Sequence, residues 1–163
     1  MGVPAATYRL RDYRPGDLRR LWEIDQQCFA RGIAYSQREL AHYIAKAGGF
    51  TVVAETAGPV GNETTRQPHI VGFLVGHVLP RGAGHIVTID VLPEARRAGI
   101  GSLLMEECET RLRTAECQAV YLETAVDNDT ALRFYKRLRY SVLKTIPRYY
   151  LDSIDALLMG KKL

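Results

Sequence analysis

Cysteine is scarce in this sequence. There are three, Cys28, Cys108 and Cys117, an odd number without the close spacing of metal ligands, so neither a disulfide framework nor a zinc site is suggested. Each falls in a helix-like or strand-like stretch, so reduced thiols, buried or half-buried, are expected. Long apolar runs are missing too. No stretch approaches a membrane span, and the first residues carry no signal-like apolar core. The expectation is a protein of a reducing cytoplasm with no membrane partner. Basic residues are not concentrated either: a formal charge of +4 is spread along the chain, which argues against a nucleic-acid partner. Repeats and long linkers are absent. At 163 residues, 47% apolar and 25% charged, the chain reads as one globular domain over residues 1–163.

What is there alternates between strand and helix patterns. Residues 7–12 alternate like a strand, with Tyr8 and Leu10 on one face. Pro15-Gly16-Asp17 punctuates, and Asp17 is placed to cap a helix carrying Leu18, Leu21, Trp22, Ile24, Asp25 and Cys28, with Trp22 in the core. Ser36 and Glu39 have the spacing of a capping box, opening a helix that stops near Gly48-Gly49. Strands follow at 50–55 and 70–79, joined by a Gly-, Pro- and Thr-containing stretch from 57 to 69 that suits a hairpin connection. Residues 84–91 read as a strand buried on both faces. A helix at 100–114, a strand at 119–124, a helix at 129–138 and closing strands at 141–146 and 156–161 complete the order. The fold class is α/β with a mixed sheet whose central strands are joined by a helical crossover.

The most informative segment joins the strand ending at Val91 to the helix starting near Ile100. It contains Arg96-Arg97-Ala98-Gly99-Ile100-Gly101-Ser102. A strand, a glycine turn and a helix N-terminus bring free N–H groups and the positive end of a helix dipole to one spot, which binds anions. The glycines let the backbone approach the anion, and the arginines add cationic donors. The spacing is neither G-x-G-x-x-G nor a P-loop, so dinucleotides and nucleoside triphosphates are excluded as the reading.

Val91-Leu92-Pro93 followed by Arg96 to Gly101 resembles the acetyl-CoA motif of the GNAT superfamily. The similarity continues through Leu122-Glu123-Thr124, Asn128, Ala131, Phe134-Tyr135 and Leu138, then Arg148-Tyr149-Tyr150, Asp155-Ala156 and Leu158-Met159. It is similar in particular to the protein N-terminal acetyltransferases, including the ribosomal-protein alanine acetyltransferases. The resemblance implies a mixed, mostly antiparallel sheet of about seven strands with splayed parallel central strands and about four helices. It implies acetyl-CoA as the only cofactor, with no metal. The pyrophosphate would be held by Arg96, Arg97, Ala98, Gly99, Ile100, Gly101 and Ser102, the pantetheine arm by the backbone of Ile89 and Val91, with Asn128 and Tyr135 also contacting the cofactor. One departure stands out: the family's usual Gly-Phe after the last helix is Arg139-Tyr140 here.

Transfer to an amine needs a base and a proton donor. Tyr135 matches the family's general acid, and a phenol with a pKa of about 10 keeps its proton at neutral pH. Glu123 and His85 are the two candidate bases. If their strands are parallel neighbours, both can face one cleft and share a water. Asp90 is a carboxylate in an apolar strand, costly unless paired, and is a site residue without an assigned role. In the resembled enzymes two connections flank the acceptor groove; here they carry Phe29, Ile33 and Tyr35, and Tyr149 and Tyr150. Tyrosines give an apolar wall with hydroxyl donors, which suits the first residues of a peptide. The leading expectation is acetylation of a peptide or protein N-terminus. Acetylation of a small amine or a lysine, and a non-catalytic acyl-CoA sensor, are the alternatives. A monomer and a homodimer are both compatible with the sequence.

Overall fold

In the computed structural model the described residues are 7–57 and 68–163. They form one seven-stranded sheet, ordered β1-β2-β3-β4-β5-β7-β6, with helices on both faces. The strands are β1 (Thr7–Asp12), β2 (Gly49–Ala57), β3 (Ile70–Leu79), β4 (Ala83–Val91), β5 (Ala119–Ala125), β6 (Ser141–Tyr150) and β7 (Ile154–Lys162). The helices are α1 (Leu18–Cys28), α2 (Gln37–Ala45), α3 (Ile100–Thr114) and α4 (Asp129–Arg137). Most of the stretch expected to connect β2 and β3 lies outside the described residues.

Neighbouring strands are antiparallel except β4 and β5, which α3 joins as a parallel crossover. That parallel pairing is brief. It holds only for Ala83–Ala119, Gly84–Val120 and His85–Tyr121, so the two strands part beyond His85. β5 stays bound to β7 along its whole other edge, so the parting opens a gap on the β4 side alone.

The helices dock by apolar stripes. In α3 the buried residues Ile100, Leu104, Met105, Cys108 and Leu112 recur at helical spacing and lie against the sheet. Gly84 keeps this contact close: a Cβ there would meet Leu112 at 2.6 Å. On the opposite face α1 buries Leu21 and Ile24, and α2 buries Leu40. Ser36 and Glu39 form the expected capping box, with Glu39 N–H donating to Ser36 Oγ at 3.1 Å and Ser36 N–H to Glu39 Oε2 at 2.8 Å. Asp17 does something other than cap α1. Its carboxylate takes the Arg11 guanidinium at 2.8 Å and the Arg14 N–H at 2.8 Å, tying β1 to the start of α1. Trp22 is half-buried at the core's edge rather than within it.

Two other expectations change. β4 is not buried on both faces: His85 and Val87 are half-buried where they border a cleft, and Ile89 and Val91 are half-buried toward the strand's end. β6 runs on to Tyr150, so Tyr149 and Tyr150 stand at a strand end rather than in a loop. The Arg139-Tyr140 corner keeps a helix C-cap geometry without glycine. Arg139 takes the left-handed conformation (φ 70°), and Tyr140 N–H still closes on Tyr135 C=O at 3.0 Å. The Tyr140 hydroxyl then donates to buried Glu109 at 3.0 Å, which Lys161 also grips at 2.9 Å.

Candidate active site

The turn before α3 is shaped for an anion. Arg97 (φ 64°) and Gly99 (φ 81°) are both left-handed, which turns successive N–H groups inward. The first intrahelical bond is Leu103 N–H to Gly99 C=O, so the N–H groups of Ile100, Gly101 and Ser102 have no helical partner. Gly99, the capping residue, has no side chain to satisfy them, and the first turn carries no acid. Among the described residues, its own chain neighbours aside, no atom lies within 4 Å of where a Gly99 Cβ would stand. An uncapped, acid-free helix start beside an arginine suits a pyrophosphate. The Ile100 side chain is in the core, so it can offer only its N–H.

Arg96 is committed differently from Arg97. Its Nε donates to the Val91 carbonyl at 3.0 Å, and the Cys28 thiol donates to the same oxygen at 3.4 Å. Leu92 N–H is bonded to Val71 on β3, so the backbone of Val91 turns toward the gap beside β5. The Val91 carbonyl is thus occupied by the protein's own donors. Asn128 also has a structural task, its side-chain oxygen accepting from Ala131 N–H at 3.1 Å to cap α4, while its NH₂ remains a donor.

Tyr135 is buried between Phe134 and Tyr140, at the side of Asp90 and Tyr150. Burial, reinforced by those neighbours, pushes its hydroxyl further above the ordinary phenol value, so it keeps its proton at neutral pH.

On the α1–α2 face a cleft with about 350 Å³ of empty space is lined by Tyr35, Tyr43, His85, Val87, Glu123, Tyr149 and Tyr150. His85 on β4 and Glu123 on β5 meet directly, Nε2 to Oε2 at 2.7 Å, closer than a shared water would allow. Both strands are needed for this contact. Tyr121 is the partner of His85, and Glu123, two residues on, shares its face. When Glu123 is a carboxylate, Nε2 carries the hydrogen and Nδ1 is left as the proton acceptor. Burial raises the hydroxyls of Tyr35 and Tyr150, and also Tyr149, so each is a donor at neutral pH.

Phe29 and Ile33 do not line this cleft; they are half-buried in the connection beside it. Tyr43 and Val87 do line it, and neither stood out in the sequence. Tyr43 packs on Tyr35 with ring centroids 5.1 Å apart, and its carbonyl bonds the buried His77 at 2.8 Å. Burial holds His77 below the usual imidazole range and hence neutral. Val87 is the extra residue of a β-bulge, where β4 shifts register between the pairs Gly76–Ile86 and Val75–Thr88. The bulge has a consequence for the face of the sheet. His85 pairs with His77 and Asp90 with Phe73, so both face α1 and α2 despite their odd separation.

A parallel pair that parts over an uncapped helix start is the frame of the GNAT N-acetyltransferases, and this fold defines that class. The chain belongs to the acetyltransferase (GNAT) family, which it matches over residues 18–140. An N-alpha-acetyltransferase of Sulfurisphaera tokodaii is 30% identical, aligned over 96% of this chain and 93% of its own length. An uncharacterized N-acetyltransferase of Methanocaldococcus jannaschii is 40% identical over 57% of this chain, a match spanning 60% of that protein's length. Among solved structures, Ard1 from Thermoplasma volcanium is 27% identical with a TM-score of 0.79, covering 96% of this chain and 97% of that one. Arabidopsis thaliana NAA60 in complex with acetyl-CoA has the same fold, at 20% identity and a TM-score of 0.79, covering 96% of this chain and 99% of that one.

Proposed function

We propose that this protein transfers the acetyl group of acetyl-CoA to the N-terminal α-amine of a peptide or protein. The observation that carries the reading is the His85–Glu123 contact at 2.7 Å, on the floor of a tyrosine-lined cleft where β4 and β5 part. The names of the archaeal relatives support the same class of acceptor.

Acetyl-CoA, when bound, supplies an acyl group activated as a thioester. The N–H groups of Ile100, Gly101 and Ser102, with Arg97, hold its pyrophosphate, and the β4 backbone at Ile89 and Val91 lines the gap for the pantetheine arm. Tyr35, Tyr149 and Tyr150 present hydroxyls to a peptide backbone. The incoming α-amine has a pKa of about 7.7–8.0 and is already partly neutral near pH 7, so a modest base suffices. The His85–Glu123 pair takes its proton, and Tyr135, protonated and buried, gives one to the departing thiolate. β4 N–H groups beside the bulge are fixed donors for charge developing on the carbonyl oxygen.

The test is steady-state acetylation of short peptides against polyamines and aminoglycosides. Turnover confined to peptides with a free N-terminus supports the reading, and turnover confined to small amines overturns it. Acetyl-CoA binding without transfer to any acceptor would mark a sensor instead.

A further inference from the structure

Asp25 and Asp90 are 0% and 1% exposed, and α1 packs on the end of β4, where the Cys28 thiol reaches the Val91 carbonyl at 3.4 Å, so the carboxyls one turn before Cys28 and one residue before Val91 act on one another. One oxygen on each is accounted for. Asp25 Oδ2 accepts from Tyr35 N–H at 2.7 Å and from Gln26 at 3.4 Å, and Asp90 Oδ1 accepts from the Thr88 hydroxyl at 2.6 Å. The other two, Asp25 Oδ1 and Asp90 Oδ2, are buried and find no donor among the described residues. Two buried carboxylates in this arrangement would repel at short range, with two lone-pair-bearing oxygens unsatisfied.

We propose that Asp25 and Asp90 share one proton, Asp90 Oδ2–H donating to Asp25 Oδ1, and that this clasp fixes the Tyr35 backbone to the donor strand β4. One hydrogen satisfies both orphan oxygens and removes one of the two charges. The surroundings agree. Asp90 faces Asp25 and Cys28 from α1, Arg96 from the turn after β4, Tyr135 from α4 and Thr88 on its own strand; Glu39 on α2 acts on Asp25. Cys28 is neutral, its thiol pushed up to about 11 by burial, and Tyr135 is neutral as well. Among the described residues the cation acting on Asp90 is Arg96, whose Nε is bonded to the Val91 carbonyl and whose charge favours the ionised form less than burial and Asp25 oppose it. Burial and the facing Asp25 charge both hold the Asp90 proton well above the ordinary carboxyl range.

The clasp spans the two halves of the site. Tyr35 lines the acceptor cleft, and Asp90 lies between Ile89 and Val91 on the strand bordering the cofactor gap. Asp25 and Asp90 are therefore positioning residues, a statement that rests on the functional reading above; the shared proton itself does not. A proton held more tightly in the folded state than in the unfolded chain stabilises folding at low pH. That contribution is lost as pH rises through the folded-state value. Ionisation of the pair then frees Tyr35.

The decisive test is infrared spectroscopy of the substrate-free protein with isotope-labelled aspartate carboxyls. A protonated-carboxyl band at neutral pH, lost in Asp90→Asn, supports the proposal. Its absence from the wild type, or its persistence unchanged in Asp90→Asn, overturns it. If a variant fails to fold, loss of the wild-type band on alkaline titration, in step with a fall in melting temperature, decides the same question. For positioning, Asp90→Asn keeps a donor toward Asp25 whatever the pH. It should retain the neutral-pH peptide KM and abolish the alkaline rise in KM seen in the wild type. Asp90→Ala should raise peptide KM several-fold at every pH and leave acetyl-CoA affinity unchanged. An identical alkaline limb in wild type and Asp90→Asn overturns the clasp's role. The infrared band with no peptide turnover supports the shared proton and overturns the functional reading instead.

Discussion

His85 Nε2 lies 2.7 Å from Glu123 Oε2, an imidazole and a carboxylate brought together from two strands that part just beyond them. If the pair works as one base, Glu123→Gln and His85→Ala each lower kcat for a peptide by about 10²–10⁴-fold. Acetyl-CoA affinity stays the same. The double variant should lose far less than the product of the two single losses, because partners in one unit are not additive. Multiplicative losses in the steady-state rates would separate the two residues.

Tyr135→Phe removes a hydroxyl that makes no hydrogen bond to the described residues and leaves the ring to pack against Phe134 and Tyr140. Turnover should fall by at least tenfold, while acetyl-CoA dissociation, measured by calorimetry, changes less than threefold. Unchanged turnover removes the acid role from this residue.

The element order was legible in the sequence, and the boundaries of β3 and α3 agree with it, since long β-branched and helical stripes leave little ambiguity. The glycine turn was legible because its spacing fixes backbone shape, the property that suits it to an anion. What escaped was set by tertiary context. Pro147 reads as a strand end, yet β6 continues past it because it is the sheet's exposed edge, where a missing N–H costs little. The Val87 bulge carries no glycine or proline to mark it, so the shared face of His85 and Asp90 could not be counted from sequence. Tyr43 and Asp25 each fit an amphipathic helix, and periodicity says which face they occupy but not what they meet there.

Arg139 pays for its left-handed backbone at a corner where glycine is unstrained. Arg139→Gly should therefore stabilise the fold by about 1 kcal/mol, offset in part by glycine's greater freedom in the unfolded chain. Chemical denaturation reads this directly, and a destabilised variant would show that the guanidinium matters more than the backbone.

Arg11 bridges Asp17 and Glu55, at 2.8 Å and 2.9 Å. Burial is the largest single influence and opposes ionisation of both acids, but the hydrogen bonds and charges of Arg11 and Arg14 at Asp17, and of Arg11 and Arg9 at Glu55, together outweigh it and hold both below the ordinary carboxyl range. Their contribution is complete above the unfolded values of about 3.9 and 4.3, and is lost as pH falls through the lower folded ones. Arg11→Met should cost about 1–2 kcal/mol at neutral pH and move acid unfolding to higher pH. An acid midpoint unchanged in circular dichroism would remove this cluster from the account.

Which amine receives the acetyl group can be read from one product. A peptide with a free N-terminus and an internal lysine, incubated with acetyl-CoA and the protein, offers both acceptors at once. Tandem mass spectrometry of the product locates the group. Acetyl on the α-amine, and none when that amine is blocked in advance, is the expected result; acetyl on the lysine of the blocked peptide would contradict N-terminal transfer.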